Sequence, residues 1–391
     1  MVNYYSADYI FPVTSAPIKN GVVAVDGDGL VTEIYTAIAA DKLGLDIKRM
    51  QGIIVPGFVN SHCHLELSHL RGRFKREQGL LNFIQQVIAN RNAAADNIVQ
   101  AMQQADEEMY KNGIVAVGDI SNQSISKSVK KASRLFYHTY IETLCFKPDD
   151  AKEVFRNAIE IKEKFGELST SIVPHAPYSV CKELFRFIAH FCKTDQNPIS
   201  IHNQETEEEN KLYRYKTGEF IGLYKKLGIS LDFFRPQARN SLQSITPLLP
   251  PEQRILLVHN IYTNLKDIYF LKRLDKDITW CFCPNANLYI GGRLPKVELF
   301  IREGFDITVG TDSLASNDAL CILSELKTLH QHFPSLKFAD TIVWATLNGA
   351  RFLKIDDTIG SIEKGKKPGL NLITRTDGME LTAESEVQKL V

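Results

Sequence analysis

The sequence lacks any run of 18 or more apolar residues, which argues against a membrane-spanning helix. It also lacks net charge: 46 Lys and Arg balance 46 Asp and Glu over 391 residues. No excess positive field is therefore available to hold nucleic acid or another polyanion. Cysteine is sparse, odd in number at seven and irregularly spaced. That pattern does not build a disulfide framework, and reduced thiols in the cytoplasm are the expectation. Met1 to Pro12 includes Asp8 and has no basic segment leading into an apolar one, so no secretory leader is expected. Internal repeats, low-complexity tracts and Pro/Ser-rich linkers are missing as well. What is present is a globular composition, 44% hydrophobic and 24% charged. The length suits two or three domains, or one large barrel with additions.

Short apolar strands alternate with helical stretches through most of the chain. The strands are expected near Phe58–His62, Ile114–Asp119, Phe136–Glu142, Ser171–His175, Ile199–His202, Ile255–His259, Ile278–Cys283 and Ile307–Asp312. Helical spacing is clear in Leu80, Leu81, Ile84, Val87 and Ile88, and again in Leu184, Phe185, Phe187, Ile188 and Phe191. No Gly-rich phosphate loop follows the first strand, so a (β/α)8 barrel fits better than a doubly wound dinucleotide fold. The first 55 residues differ in kind: Val22–Val25, Val31–Tyr35 and Ile53–Val55 are β-branched runs with a Gly27-Asp28-Gly29 turn. Gly369–Thr374 has the same strand character. The expectation is an α/β chain in which residues 56–359 form the barrel, and 1–55 with 360–391 form a small β-sandwich domain.

Most of the expected strands finish in a chemically capable residue: His62 with His64, Asp119, Glu142, His175, His202, His259 and Asp312. Catalytic groups of barrel enzymes gather at those ends. His62 and His64 are two apart, so on an extended strand their imidazoles share a face. Joined by His202 and Asp312, they make three imidazoles and one carboxylate, a donor set for one divalent ion: zinc, or iron. Core packing alone gives no reason to end four strands in histidine.

Gly57-Phe-Val-Asn-Ser-His62-Cys-His64, His202-Asn-Gln-Glu205, Val258-His259-Asn260 and Gly310-Thr-Asp312-Ser resemble, in order, the motifs of the amidohydrolase superfamily. The similarity is greatest to its deaminase/chlorohydrolase branch and extends over nearly the whole chain, including Gly360-Ser-Ile-Glu-Lys-Gly365. Two-metal members of that family carry a carboxylated lysine or a glutamate after the fourth strand. Here Pro174-His175-Ala-Pro-Tyr178 occupies the position, and Lys182 lies well beyond it. The resemblance therefore implies one metal held by His62, His64, His202 and Asp312, with His259 turned to the substrate.

The same resemblance implies hydrolytic deamination of an aromatic ring. A bound metal lowers the pKa of water toward about 7. Glu205 would move that water's proton to a ring nitrogen, His259 would stabilise the developing oxyanion, and Asp312 would pass a proton to departing ammonia. Glu207, Glu208 and Glu209 read as a solvated acidic run. Cys281 and Cys283 lack the spacing of the zinc nucleoside deaminases of another fold and read as packing residues.

The stretch His64-Leu-Glu-Leu-Ser-His-Leu-Arg-Gly72 resembles aminodeoxyfutalosine deaminases of the alternative menaquinone pathway. Methylthioadenosine, S-adenosylhomocysteine and adenosine deaminases share the same motifs. By this likeness His175 would contact base or sugar. Glu66 shares the parity of His62 and His64 and could accept a ribose diol, or else pair with Arg71 or Arg73. Arg71 and Arg293 are the candidates for binding a benzoate carboxylate. Lys366-Lys367 departs from the acidic and small residues usual before the last strands. The expected partner is a small molecule, with no nucleic acid and no membrane, and a homodimer is left open. The competing readings are a chlorohydrolase or cyclic amidohydrolase, a deaminase of a free base such as guanine, and a non-catalytic binding barrel.

Overall fold

The alternating apolar runs become eight parallel strands in two sheets of four. A computed structural model describes residues 2–391. The first sheet holds Phe58–Cys63, Ile114–Ser121, Phe136–Thr143 and Thr170–Pro174, side by side in chain order. The second holds Ile199–Asn203, Ile255–His259, Ile278–Phe282 and Asp306–Val309. Nearly every residue in them is buried, as both faces of a helix-covered parallel sheet require. Ile141 stands opposite Ile172 and His202 opposite Val258, while the register shifts twice between the first two strands, after Phe58 and after Asn60. Helices cover the outside; Lys182–Phe191, for example, buries Leu184, Phe185 and Ile188 along one face.

The two sheets touch at both edges. At one, the His202 amide donates to the His175 carbonyl at 2.9 Å. At the other, the amides of Thr311 and Asp312 both donate to the His62 carbonyl, at 3.1 and 3.0 Å. Gly310 makes the second approach feasible, because a Cβ there would lie 2.8 Å from the His62 Cβ and carbonyl oxygen.

Two further sheets are built from the chain ends. Val31–Tyr35, Val22–Val25, Asn3–Ser6 and Ile47–Arg49 form one. Glu386–Lys389, Leu370–Thr374, Ile53–Pro56, Tyr9–Ile10 and Ile18–Lys19 form the other. Val23, Val25 and Val31 from the first pack with Ile10, Ile54 and Leu370 from the second in a small apolar core. The expected hairpin turn is held by Asp26, whose Oδ1 accepts the amides of Asp28 and Leu30 at 2.9 Å each.

All the strand ends but His259 differ from the sequence expectation by one to three residues, and two of these ends shape the site. The first strand stops at Cys63 and the chain tightens into a 3₁₀ turn over Leu65–Leu70. Asp119 enforces this by accepting the Leu65 amide at 2.7 Å, while Lys130, wholly buried with it, neutralises its charge at 2.6 Å. The eighth strand stops at Val309, and Asp312 sits beyond it at φ 57°. No helix among the described residues is long and apolar enough to cross a membrane.

Candidate metal centre and active site

His62 is the last residue but one of the first strand and His64 lies between that strand and the 3₁₀ turn, and their Nε2 atoms lie 3.1 Å apart. His202 closes from the fifth strand, its Nε2 3.2 Å from that of His64. Asp312 Oδ1 completes the group, 3.4 Å from His64 Nε2 and 3.8 Å from His62 Nε2. Donors held about 2.0–2.1 Å from one zinc ion lie about 3.3 Å apart when tetrahedral; the separations among His62, His64 and Asp312 fit a shared cation, and His202 gathers with His62 and His259 in an adjoining group. Burial depresses the basicity of the imidazoles. His64 and His202 fall to about 3, and His62 falls well below its ordinary value through burial and then through His202 and His64. Neutral imidazoles present lone pairs, and lone pairs this close favour a metal between them.

Neighbouring groups set the orientation of several donors. His202 Nδ1 lies 2.8 Å from the His175 carbonyl, so it donates there and leaves Nε2 as the donor atom. Asp312 Oδ2 accepts the Ser316 hydroxyl at 2.8 Å, leaving Oδ1 to face the histidines. Asp312, His259, Asn260 and Gln204 all hold positive φ, between 47° and 72°. Strain of this kind is tolerated where the surrounding structure fixes a functional geometry.

Glu205 and His259 adjoin the donor cluster. Glu205 Oε2 lies 3.7 Å from His259 Nε2, and His259 Nδ1 is bonded to Asn287 Oδ1 at 2.8 Å. Burial pushes the Glu205 carboxyl up to about 7; His259 opposes the shift and Asp312 adds to it. A carboxyl poised there can take and return a proton near neutral pH. Glu207 and Glu208 lie nearer the surface, as the acidic run implied, but Glu209 does not. It is wholly buried and accepts the Gln204 amide at 3.0 Å.

A cavity opens over these groups, lined at its polar end by His64, His175, His202, Glu205, His259 and Asp312. Its wall is apolar, from Leu80, Phe83, Ile84, Val87 and Ile88 of the helix Leu80–Asn90, with Leu67, Leu144, Tyr178 and Ile290. His175 reaches it with Nδ1 bonded to the Ser179 hydroxyl at 2.6 Å.

Three substrate candidates from the sequence lie elsewhere. Glu66 falls in the 3₁₀ turn rather than on an extended strand, so the parity argument does not apply. Its Oε2 accepts the Asn122 amide at 3.1 Å, and its side chain is not among the cavity-lining groups. Arg71 pairs with Glu108 on a different depression, and Arg293 lies over the Tyr262 ring, 6.0 Å from its centroid. In their place stand Arg91, Asn122 and Glu142, all lining the cavity. Arg91 was detectable in principle, since it continues the helical face four residues beyond Val87. Glu142 stood at a strand end, but nothing in local spacing says that Asn122 would join it to Arg91.

The amidohydrolase family signature matches residues 53–390, most of the chain. The chain belongs to that family, a family of metal-dependent hydrolases in keeping with the donor cluster. An adenosine deaminase of Helicobacter pylori is 27% identical over 344 residues, covering 82% of this chain and 78% of the relative. A 5-methylthioadenosine/S-adenosylhomocysteine deaminase of Bacillus cereus is 25% identical over 379 residues, covering 89% and 79%. Among solved structures, an aminofutalosine deaminase of Helicobacter pylori bound to methylthio-coformycin aligns with a TM-score of 0.84. It is 22% identical, over 100% of both chains. A zinc-bound adenosine deaminase of Xanthomonas campestris aligns with a TM-score of 0.74 at 22% identity, over 95% of this chain and 84% of that one. These structural likenesses establish a shared fold.

Proposed function

We propose that the chain is a metal-dependent hydrolytic deaminase that replaces the exocyclic amine of an adenine-type nucleoside with a carbonyl and releases ammonia. The observation that carries this reading is the pairing of Glu205 with His259, 3.7 Å apart, beside three histidines and an aspartate able to share one ion. The deaminase relatives support it, and aminodeoxyfutalosine is the first choice of nucleoside for this chain. The two parallel sheets are read as halves of one closed (β/α)8 barrel over 56–359, with 1–55 and 360–391 as the small β-domain.

His62, His64, His202 and Asp312 would hold the ion, taken here as zinc. When bound, it supplies an acidified water at neutral pH. Glu205 takes a proton from water and delivers it to the ring nitrogen, a task matched to a carboxyl poised near 7. His259, anchored through Nδ1 to the Asn287 side-chain amide at 2.8 Å, presents Nε2 to the oxygen developing on the attacked carbon and stabilises it. Asp312, held by Ser316, accepts a second proton and passes it to the leaving amine. Burial of Glu205, His259 and Asp312 at the floor of the cavity limits the access of bulk water to these hydrogen bonds.

The test is ammonia release by zinc-loaded protein from adenosine, methylthioadenosine, S-adenosylhomocysteine and aminodeoxyfutalosine. Turnover of at least one nucleoside supports the reading, with aminodeoxyfutalosine expected to lead. Turnover of guanine or a chlorinated triazine, with none of the nucleosides, would replace it.

A further inference from the structure

Arg91 is the unusual charge in the cavity. It caps the C-terminal end of the helix Leu80–Asn90 and is half-buried. Among the described residues no carboxylate lies within ion-pairing distance of its guanidinium, whereas Arg71 and Arg76 are paired with Glu108 and Asp318. Its Nη2 donates to Asn122 Oδ1 at 3.2 Å, and Asn122 Nδ2 donates in turn to Glu142 Oε2 at 2.9 Å. The Asn122 side chain thus stands between the guanidinium and Glu142, while its backbone amide donates to Glu66, and it orients Arg91 without neutralising it. An arginine held this way keeps donors free for a planar oxyanion.

The surroundings narrow the class of ligand. Ile84, Val87 and Ile88 precede Arg91 on the same helix and line the same cavity, which Leu144 flanks. Ile88 and Leu144 remain 47% and 45% exposed. Large apolar side chains left open on a cavity rim mark a surface that a ligand covers. The hydroxymethyl end of adenosine needs neither an apolar wall nor a cation.

Resting on the deaminase reading, we infer that Arg91 is a specificity-determining residue that anchors an oxyanion at the end of an apolar 5′ substituent. The substrate class is an adenine nucleoside whose 5′ extension ends in an aryl or alkyl carboxylate. A phosphate would supply the same oxyanion but would leave the apolar wall uncovered. Arg71 and Arg293 take no part.

The experiment compares kcat/KM of the zinc-loaded enzyme for aminodeoxyfutalosine, which ends in a benzoate, with that for its benzamide counterpart and for adenosine monophosphate. The wild type should favour the benzoate over the benzamide by at least about tenfold. Arg91→Met should bring that ratio close to one, and Arg91→Lys should restore part of it. Survival of the ratio in Arg91→Met, its absence in the wild type, or preference for the monophosphate would overturn the assignment. Calorimetric Kd values for the same two nucleosides give the ratio without turnover. Absence of ammonia release would therefore count against the deaminase reading, and absence of the binding ratio against Arg91.

Discussion

At the scale of single residues, the chemistry concentrates in Glu205, whose neutral and ionised forms are both accessible near pH 7 because burial disfavours the charge. Glu205→Gln keeps the shape and removes the exchangeable proton. Turnover should fall at least about 100-fold while bound metal, measured by elemental analysis, stays unchanged. Undiminished turnover in the metal-replete variant would take Glu205 out of the reaction. His62, His64, His202, Glu205, His259 and Asp312 were all readable in the sequence, because each belongs to a short motif at a strand end. Arg91 could be placed on a helical face by its spacing from Val87, but its role could not be read, since that depends on where one helix end meets a loop from another strand. Glu66 misled for a local reason: parity counting assumes an extended chain, and Asp119 bends it one residue after His64.

At the scale of elements, the site depends on how closely the first and eighth strands approach. Gly310 is the contact point: any side chain there meets the backbone and Cβ of His62 at less than 3 Å. Gly310→Ala should separate His62 from Asp312, lowering bound metal and activity together and reducing Tm. Full metal content in a folded Gly310→Ala protein would show that the donors tolerate the displacement. The strands themselves were legible from their β-branched runs, and their exact ends were not. Asp312 and His64 reach the cluster from just outside their strands, held by tertiary hydrogen bonds that no propensity encodes. The helix Leu80–Asn90 reads from its periodicity as a core-facing helix, and four of the five residues on that face, Leu80, Ile84, Val87 and Ile88, line the cavity instead.

At the scale of the whole molecule, stability carries the signature of buried carboxyls. Glu209 is wholly buried, its Oε2 has no hydrogen-bond partner, and burial raises its carboxyl to about 8. A carboxyl raised on folding adds stability that is full below its unfolded value, about 4.3, and is lost as pH climbs through about 8. Glu209→Gln removes that dependence. Its Tm relative to wild type should therefore rise between pH 5 and pH 8, by about 2 °C or more. A constant difference across that range would mean that Glu209 does not titrate between the folded and unfolded states there.

The central claim is that one metal ion, held by His62, His64, His202 and Asp312, serves nucleoside deamination. Its most direct test is a titration of metal-free protein with zinc while ammonia release from aminodeoxyfutalosine is followed. Activity should rise linearly and reach its plateau at one ion per chain. A plateau at two ions would contradict the single site, and absence of ammonia at every ratio would contradict the chemistry built on it.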